Sequence, residues 1–104
     1  MNGNELISFQ IISAVGTARS MYVEAIKEAK KGNIQAAKQL IEDGVKVFVD
    51  GHHAHASLIQ KEAAGEKSEF SLLLMHAEDQ LMTTETLKIV AEEFIELYSD
   101  KYHQ

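Results

Sequence analysis

Leu72-Leu73-Leu74-Met75-His76-Ala77-Glu78-Asp79-Gln80-Leu81-Met82 is the stretch that decides the fold. Nothing in it breaks a helix, and the whole chain of 104 residues contains no proline. Because Leu, Met, Ala, Glu and Gln all favour the helical conformation, the stretch predicts a helix that is apolar on nearly every side. An imidazole, that of His76, and, three residues later, a carboxylate, that of Asp79, interrupt its apolar surface.

His76 is the first candidate for chemistry. An imidazole titrates near neutrality and is a good nitrogen nucleophile. On a stiff helix in a mostly apolar wall, it suits a group that accepts and then gives up a small electrophile. Gln80 lies one turn on and Thr83 two turns on, so polar groups able to orient the ring or bind an anion share its face. The alternative is that His76 is only a hydrogen-bonded structural residue.

The rest of the chain predicts two further helices. Apolar residues recur at three- and four-residue steps, which is the helical period. We expect helix 1 from about residue 4 to 31, helix 2 from about 33 to 64, and helix 3 from about 68 to 101. Each is about 45 Å long. Joined by tight turns, they predict an all-α, up-down-up antiparallel three-helix bundle, formed by a single domain over residues 1–104.

Glycine and polar residues mark the predicted helix ends. Gly32 is suited to the left-handed conformation that ends helix 1, and Asn33 to the cap of helix 2. Gly65 closes helix 2. Ser68 is predicted to cap helix 3, with Glu69 at the positive end of that helix.

Composition excludes several classes of function. A formal net charge of −6 argues against a nucleic-acid partner, since phosphate backbones are bound by clustered Lys and Arg. The chain has no cysteine, so disulfides, thiolate nucleophiles and cysteine-based zinc sites are excluded. The first residues lack the pattern of a signal peptide, and no apolar segment approaches the roughly 20 residues of a membrane span. We therefore expect a cytoplasmic protein that does not insert into a membrane.

Helix 3 carries more apolar surface than one bundle can cover. A second stripe, distinct from the one expected to face the core, consists of Leu72, Met75, Asp79, Met82 and Ile89. We therefore expect helix 3 to contact its own bundle and also a second copy of the chain, giving a homo-oligomer. Copies of Asp79 would meet at a symmetry axis and share a metal ion. The alternative is that Asp79 faces solvent or pairs with a nearby lysine.

Helix 2 contains a second group of histidines, His52, His53 and His55. Small residues surround them, and Gly51 lies on the stripe of helix 2 that should face the core, where large side chains are expected. We interpret this spacing as an opening between helices that gives access to the histidines. The alternative is that Gly51 only permits close helix approach and that His52 and His53 are solvated.

Two other classes of protein stay open from the residues. Diiron bundles need Glu-x-x-His motifs, which are missing, and no His-Glu-x-x-His motif indicates zinc. A metal-dependent hydrolase would have to use His53, His55 and His76 as its three ligands. The remaining alternative is a non-catalytic helical adaptor whose apolar faces bind another helix.

Three blocks of the chain resemble one family. They are residues 57–67 with residues 71–84, residues 91–98, and Gly16-Thr17-Ala18-Arg19-Ser20 in helix 1. Together they strongly resemble the enzyme IIA component of the lactose/cellobiose (chitobiose) class of the phosphoenolpyruvate-dependent sugar phosphotransferase system. The resemblance covers nearly the whole chain in order.

The resemblance implies a homotrimer in which each active histidine lies in a groove near a subunit boundary. His76 would accept a phosphoryl group from the small histidine-phosphorylated carrier protein. It would pass the group to a cysteine of the cognate IIB component, which acts with a membrane IIC permease. Asp79 would meet its symmetry mates on the trimer axis, with a divalent cation, commonly Mg²⁺, between them.

Supporting residues follow from the chemistry of the transfer. Positioning and charge accommodation dominate phosphoryl transfer. We expect Gln80 and Thr83, with His53 and Arg19 from other helices, to donate hydrogen bonds to the phosphoryl oxygens. The alternative for Arg19 is an ion pair with a buried carboxylate.

The chain departs from the family pattern in two places. Many members read His-His-x-Gln-Thr where this chain has His52-His53-Ala54-His55-Ala56, which puts a polar role at positions 55 and 56 in doubt. Gln80 is often a histidine in relatives. The expected cargo is a β-linked disaccharide of the lactose, cellobiose or chitobiose class.

Overall fold

The computed structural model describes residues 3–67 and 70–102, and these form three α-helices. They are α1 (Gly3–Lys30), α2 (Ile34–Ala63) and α3 (Leu72–Lys101). The molecule measures 53 × 24 × 19 Å, so the three helices lie side by side along one long axis. No strand occurs within the described ranges, and the all-α prediction is confirmed.

Packing partners give the direction of each helix. Gly44 of α2 lies against Tyr22 of α1, and Gly51, further along α2, lies against the earlier Val15, so these two helices are antiparallel. Ala77 of α3 shares a cluster with Val15, whereas Ala91, later in α3, shares one with Tyr22. Helices α1 and α3 therefore run parallel, which is the predicted up-down-up order.

The core consists of two clusters that share α1. One lies toward the α1–α2 turn and contains five alanines, three isoleucines and one tyrosine, namely Ala18, Tyr22, Ala25, Ala29, Ile34, Ala37, Ile41, Ala91 and Ile95. The other lies at the opposite end and contains Ile11, Val15, Ala77 and Leu81. Because the second cluster includes Ala77, the helix segment that carries His76 is fixed directly to α1.

Gly51 belongs to the packing and opens no access to the histidines. It is buried, and a Cβ there would lie 2.9 Å from Cγ1 of Val15 and 3.4 Å from Cβ of Ala14. The missing side chain lets α1 and α2 approach closely. Our interpretation of Gly51 as part of an access opening is therefore wrong, and the alternative of close helix approach is correct.

The first turn between helices follows the glycine prediction but not the cap prediction. Gly32 has a φ of 87°, and its N–H donates to the carbonyl of Ala29 at 3.0 Å. Asn33 precedes α2, but its side chain makes no capping bond. Its Nδ2 instead donates to Oε2 of Glu28 at 2.8 Å. This hydrogen bond is the largest cause that lowers the pKa of the Glu28 carboxyl, and a charged acceptor explains why it is preferred over the cap.

The second turn differs from the sequence expectation at its far end. Gly65 has a φ of 91°, as predicted for the end of α2. Helix α3 begins at Leu72, four residues later than expected, because Ser71 is its cap. Ser71 has extended backbone angles, and its Oγ accepts a hydrogen bond from the N–H of Leu74 at 3.1 Å. The predicted cap, Ser68, and Glu69 lie outside the described residues.

None of the three helices, over the residues that the structure describes, combines the length and the hydropathy that crossing a membrane requires.

Candidate functional site

His76 lies in the second turn of α3, and its side chain is exposed. Its neighbours hold the backbone still: Leu74 is 9% exposed, and Ala77 is fully buried against α1. Within residues 3–67 and 70–102, no group forms a hydrogen bond or an ion pair with the imidazole. The alternative, that His76 is a hydrogen-bonded structural residue, therefore has no supporting hydrogen bond among the described residues. The ring is exposed and unpartnered among the described residues, on a segment fixed by buried neighbours.

Gln80 and Thr83 lie on the same side of α3 as His76, as the helical spacing predicts. Gln80 is half-buried, and its side chain forms no hydrogen bond with the residues that the structure describes. The hydroxyl of Thr83 donates to the carbonyl of Asp79 at 2.8 Å and lies 3.3 Å from that of Gln80. The Thr83 hydroxyl can therefore accept a hydrogen bond in this conformation. To donate one to another group, it has to break its hydrogen bond to the carbonyl of Asp79.

Asp79 lies on the side of α3 that faces away from the core. At 3.6 residues per turn, it points about 160° away from both Ala77 and Leu81, which are buried. All five members of the second stripe are exposed, and Leu72 and Met82 reach 81% and 63%. No cation among the described residues lies within ion-pair distance of the Asp79 carboxylate. One subunit thus presents an apolar face with a single carboxylate in it.

A cross-helix contact lies close to this segment. The Nε2–H of His55 on α2 donates to Oε1 of Glu78 on α3 at 3.2 Å. Both side chains are partly shielded from water. The family pattern had put a polar role at position 55 in doubt, and the structure gives His55 a polar contact. His52 and His53 are exposed, with their rings 6.4 Å apart, as the alternative of solvated histidines expects.

His53 and Arg19 do not share a pocket with His76 in one subunit. His53 borders an open groove of about 840 Å³ between α1 and α2, and no residue of α3 lines it. Arg19 is exposed beside Val23 and Lys27 in a depression lined by α1 alone. No carboxylate of the described chain pairs with Arg19. The alternative of an ion pair between Arg19 and a buried carboxylate therefore finds no support within the described chain, and neither Arg19 nor His53 is brought to His76 there.

The sequence and the three-helix bundle of this chain match known proteins. The family described as "PTS system, Lactose/Cellobiose specific IIA subunit" matches residues 6–99. The chain belongs to this family. It is therefore a component of the sugar phosphotransferase system, with the role of a phosphocarrier in sugar uptake.

Individual relatives cover nine-tenths or more of this IIA subunit. The lichenan-specific phosphotransferase enzyme IIA component of Bacillus subtilis is 46% identical over 94 residues, which is 90% of this chain and 86% of the relative. The lactose-specific EIIA component of Streptococcus mutans is 42% identical and covers 94% of this chain and 96% of its own. The crystal structure of the cellobiose-specific enzyme IIA from Bacillus anthracis superposes with a TM-score of 0.95 at 41% identity, covering 100% and 95% of the two chains.

The hydrolase alternative does not fit this IIA subunit. A zinc hydrolase would need His53, His55 and His76 at one point. Instead, His53 borders the α1–α2 groove, His55 contacts Glu78, and His76 faces outward. Among the described residues, no three His, Asp or Glu side chains are placed to hold one metal ion.

Sequence reasoning missed two residues of this IIA subunit that hold the histidine segment, Ser71 and Glu78. A serine followed three residues later by an apolar residue was a usable signal for the cap, but Ser68 competed with it. No sequence signal pointed to the pairing of Glu78 with His55, because their contact depends on the axial offset between α2 and α3 in the folded bundle.

Proposed function

We propose that His76 accepts a phosphoryl group from the histidine-phosphorylated carrier protein and passes it to a cysteine of a cognate IIB component. In the first step, a neutral nitrogen of His76 forms a bond to phosphorus. The bond from phosphorus to the donor histidine breaks, and its electron pair returns to that nitrogen. In the second step, the cysteine thiolate forms the phosphorus–sulfur bond and the electron pair returns to His76.

One observation carries this proposal: the ring of His76 is exposed and unpartnered within the described chain, on a segment anchored by buried neighbours. A nucleophile that has to meet two different proteins in turn needs open access from outside. It also needs a fixed direction, because an error of about 1 Å in placement costs up to about a hundredfold in rate. We propose that both reactions take place in the cytoplasm, with a IIC permease as the membrane component.

Hydrogen-bond donors near His76 stabilise the negative charge of the phosphoryl group. We propose that the Gln80 amide, one turn from His76 and half-buried, donates to a phosphoryl oxygen. Thr83 donates only after releasing the carbonyl of Asp79. His53 and Arg19 are proposed to contribute only from a neighbouring subunit, because their grooves contain no residue of α3.

We also propose that the chain acts as a homotrimer, with the second stripe of α3 at the three-fold axis. Support comes from the exposure of that stripe, since Leu72 and Met82 are 81% and 63% exposed in one subunit. A carboxylate in such a face fits a shared cation, because three copies of Asp79 would otherwise repel one another. Bound Mg²⁺ would neutralise these carboxylates, and it takes no part in the transfer.

The sugar class rests on relatives. Their names specify lichenan, lactose and cellobiose. We propose that this chain serves the uptake of a β-linked disaccharide of the lactose, cellobiose or chitobiose class. The cargo is bound by the permease and not by this subunit.

The test is labelling by the upstream proteins. The chain is incubated with phosphoenolpyruvate, the general phosphotransferase enzyme and the histidine carrier, and the phosphorylated residue is located by mass spectrometry. We expect one acid-labile, base-stable phosphate on His76, and none in His76→Ala. His52→Ala is the matched control, since His52 is also exposed but lies on α2, and it should be labelled normally. A phosphate on another side chain, or stable labelling of His76→Ala, would refute the assignment.

A further inference from the structure

The contact between His55 and Glu78 is not used by the proposed transfer, although it lies beside the acceptor. The Nε2–H of His55 donates to Oε1 of Glu78 at 3.2 Å, across 23 residues of sequence. The side chains are 21% and 42% exposed. Water therefore weakens the contact only in part. It joins α2 to the one segment of α3 that carries His76.

That segment needs support because it is the start of a helix. Helix ends fray, and α3 begins only four residues before His76. Two features hold the first turn, which are the Ser71 cap and the burial of Leu74. The carboxylate of Glu78 adds a hydrogen bond to a different helix, and such a bond resists rotation as well as fraying.

The direction of this tie matters for the histidine. Glu78 follows His76 by two residues, so the two side chains leave α3 about 160° apart. Glu78 points to α2, whereas His76 points outward. A link on the opposite side of the helix fixes the rotation of α3 about its own axis. The rotation of the helix, in turn, sets where the imidazole points.

We propose that His55 is a positioning residue for His76, acting through Glu78. The inference rests on the proposed phosphoryl transfer, since it assigns a further residue to that reaction. His55 does not touch the phosphoryl group. It keeps the first two turns of α3 in the one orientation from which the ring meets phosphorus in line.

The experiment measures the rate of phosphoryl uptake by the full chain from the phosphorylated carrier in a single turnover. His55→Ala should slow uptake about fivefold, because the ring is then less well placed. His55→Gln should restore the rate to within about twofold, since its amide N–H can donate from a similar distance along the side chain. His52→Ala, one turn earlier on α2 and exposed, is the matched control and should leave the rate unchanged.

A double-mutant cycle shows whether the effect passes through Glu78. Glu78→Ala should slow uptake as His55→Ala does, and the double variant should be no slower than either single variant. Multiplying effects would overturn the proposal, because they would mean that the two residues act separately. An unchanged rate in His55→Ala, or a His55→Gln variant as slow as His55→Ala, would overturn it as well.

Hydrogen exchange separates this inference from the proposed function. It is measured without phosphate, on the wild-type chain and on His55→Ala. We expect faster exchange of the amides of residues 74–80 in the variant and unchanged exchange of residues 85–100. Unchanged exchange in residues 74–80 would overturn the positioning role alone. Failure of the wild-type chain to take up phosphate would overturn the proposed function, whatever the exchange result.

Discussion

Replacing Gly44 with alanine tests the close packing of α1 and α2 that sets the register of the bundle. A Cβ at this position would lie 2.6 Å from Cε1 of Tyr22, 3.1 Å from Cδ1 and 3.3 Å from Cζ. Real Cβ atoms do not approach so closely, so something has to move. Tyr22 is 1% exposed, and its ring is enclosed by the core. The helices have to separate, or the ring has to leave its place.

The magnitude follows from two opposing effects. Overpacking in a full core costs about 1–3 kcal/mol, while Gly to Ala inside a helix contributes about 1 kcal/mol of stability. We therefore expect Gly44→Ala to lower the free energy of unfolding by about 1 kcal/mol. Gly16→Ala is the matched control, because Gly16 is also helical and its Cβ would meet nothing within 4 Å. It should raise the free energy of unfolding by about 1 kcal/mol.

The assay is urea unfolding followed by circular dichroism, at one protein concentration, since association changes apparent stability. The two variants should differ by about 2 kcal/mol, in opposite directions from the wild type. If Gly44→Ala is as stable as Gly16→Ala, the ring of Tyr22 has room to move, and the argument that Gly44 sets the spacing of α1 and α2 is refuted.

Three further predictions concern single groups. Thr84 is 1% exposed, and its hydroxyl has no hydrogen-bond partner within the described residues. Thr84→Val should therefore raise the free energy of unfolding by about 1 kcal/mol in the same assay. A lower free energy of unfolding in the variant would show that the hydroxyl does form a hydrogen bond. Asp79→Leu should keep phosphoryl uptake and make assembly independent of a chelator in sedimentation, and metal-dependent assembly of the variant would contradict the shared cation. Burial, and to a lesser degree the charge of Glu92, raises the pKa of the Tyr22 hydroxyl above 10.0. Because the unfolded chain loses this proton at a lower pH than the folded chain, the free energy of unfolding should fall as pH rises past 10.0. Tyr22→Phe should remove this contribution to the pH dependence, as measured by urea titrations at several pH values.

Features that depend on one segment of sequence could be predicted. Gly32 and Gly65 have positive φ because each ends a helix, and only glycine adopts that conformation without strain. The number of helices and their approximate lengths follow from the periodicity together with these two glycines. The exposure of the second stripe follows from the width of the apolar surface on α3, which exceeds what two neighbouring helices cover.

Features that depend on competition between two nearly equivalent partners could not be predicted from the sequence. Asn33 had two acceptable roles, a cap for α2 or a donor to Glu28, and the charged acceptor was favoured. Two serines preceded α3, and the cap that the structure shows is Ser71. Gly51 was misinterpreted for a related reason: sequence shows that a side chain is missing but not whether another helix fills the space, as Val15 does here.

The site combines both kinds of feature on one helix. Ala77 and Leu81 bind α3 to the core, Glu78 ties it to α2, and Asp79 faces away from both. His76 therefore lies on the flank between the buried side of the helix and its exposed apolar stripe. A subunit that packed against this stripe would cover Asp79 and leave the flank as the wall of a groove. In the proposed trimer, an imidazole at position 75 would lie within the stripe and be covered by the next subunit. An imidazole at position 77 would lie in the core, where the proposed carrier could not reach it.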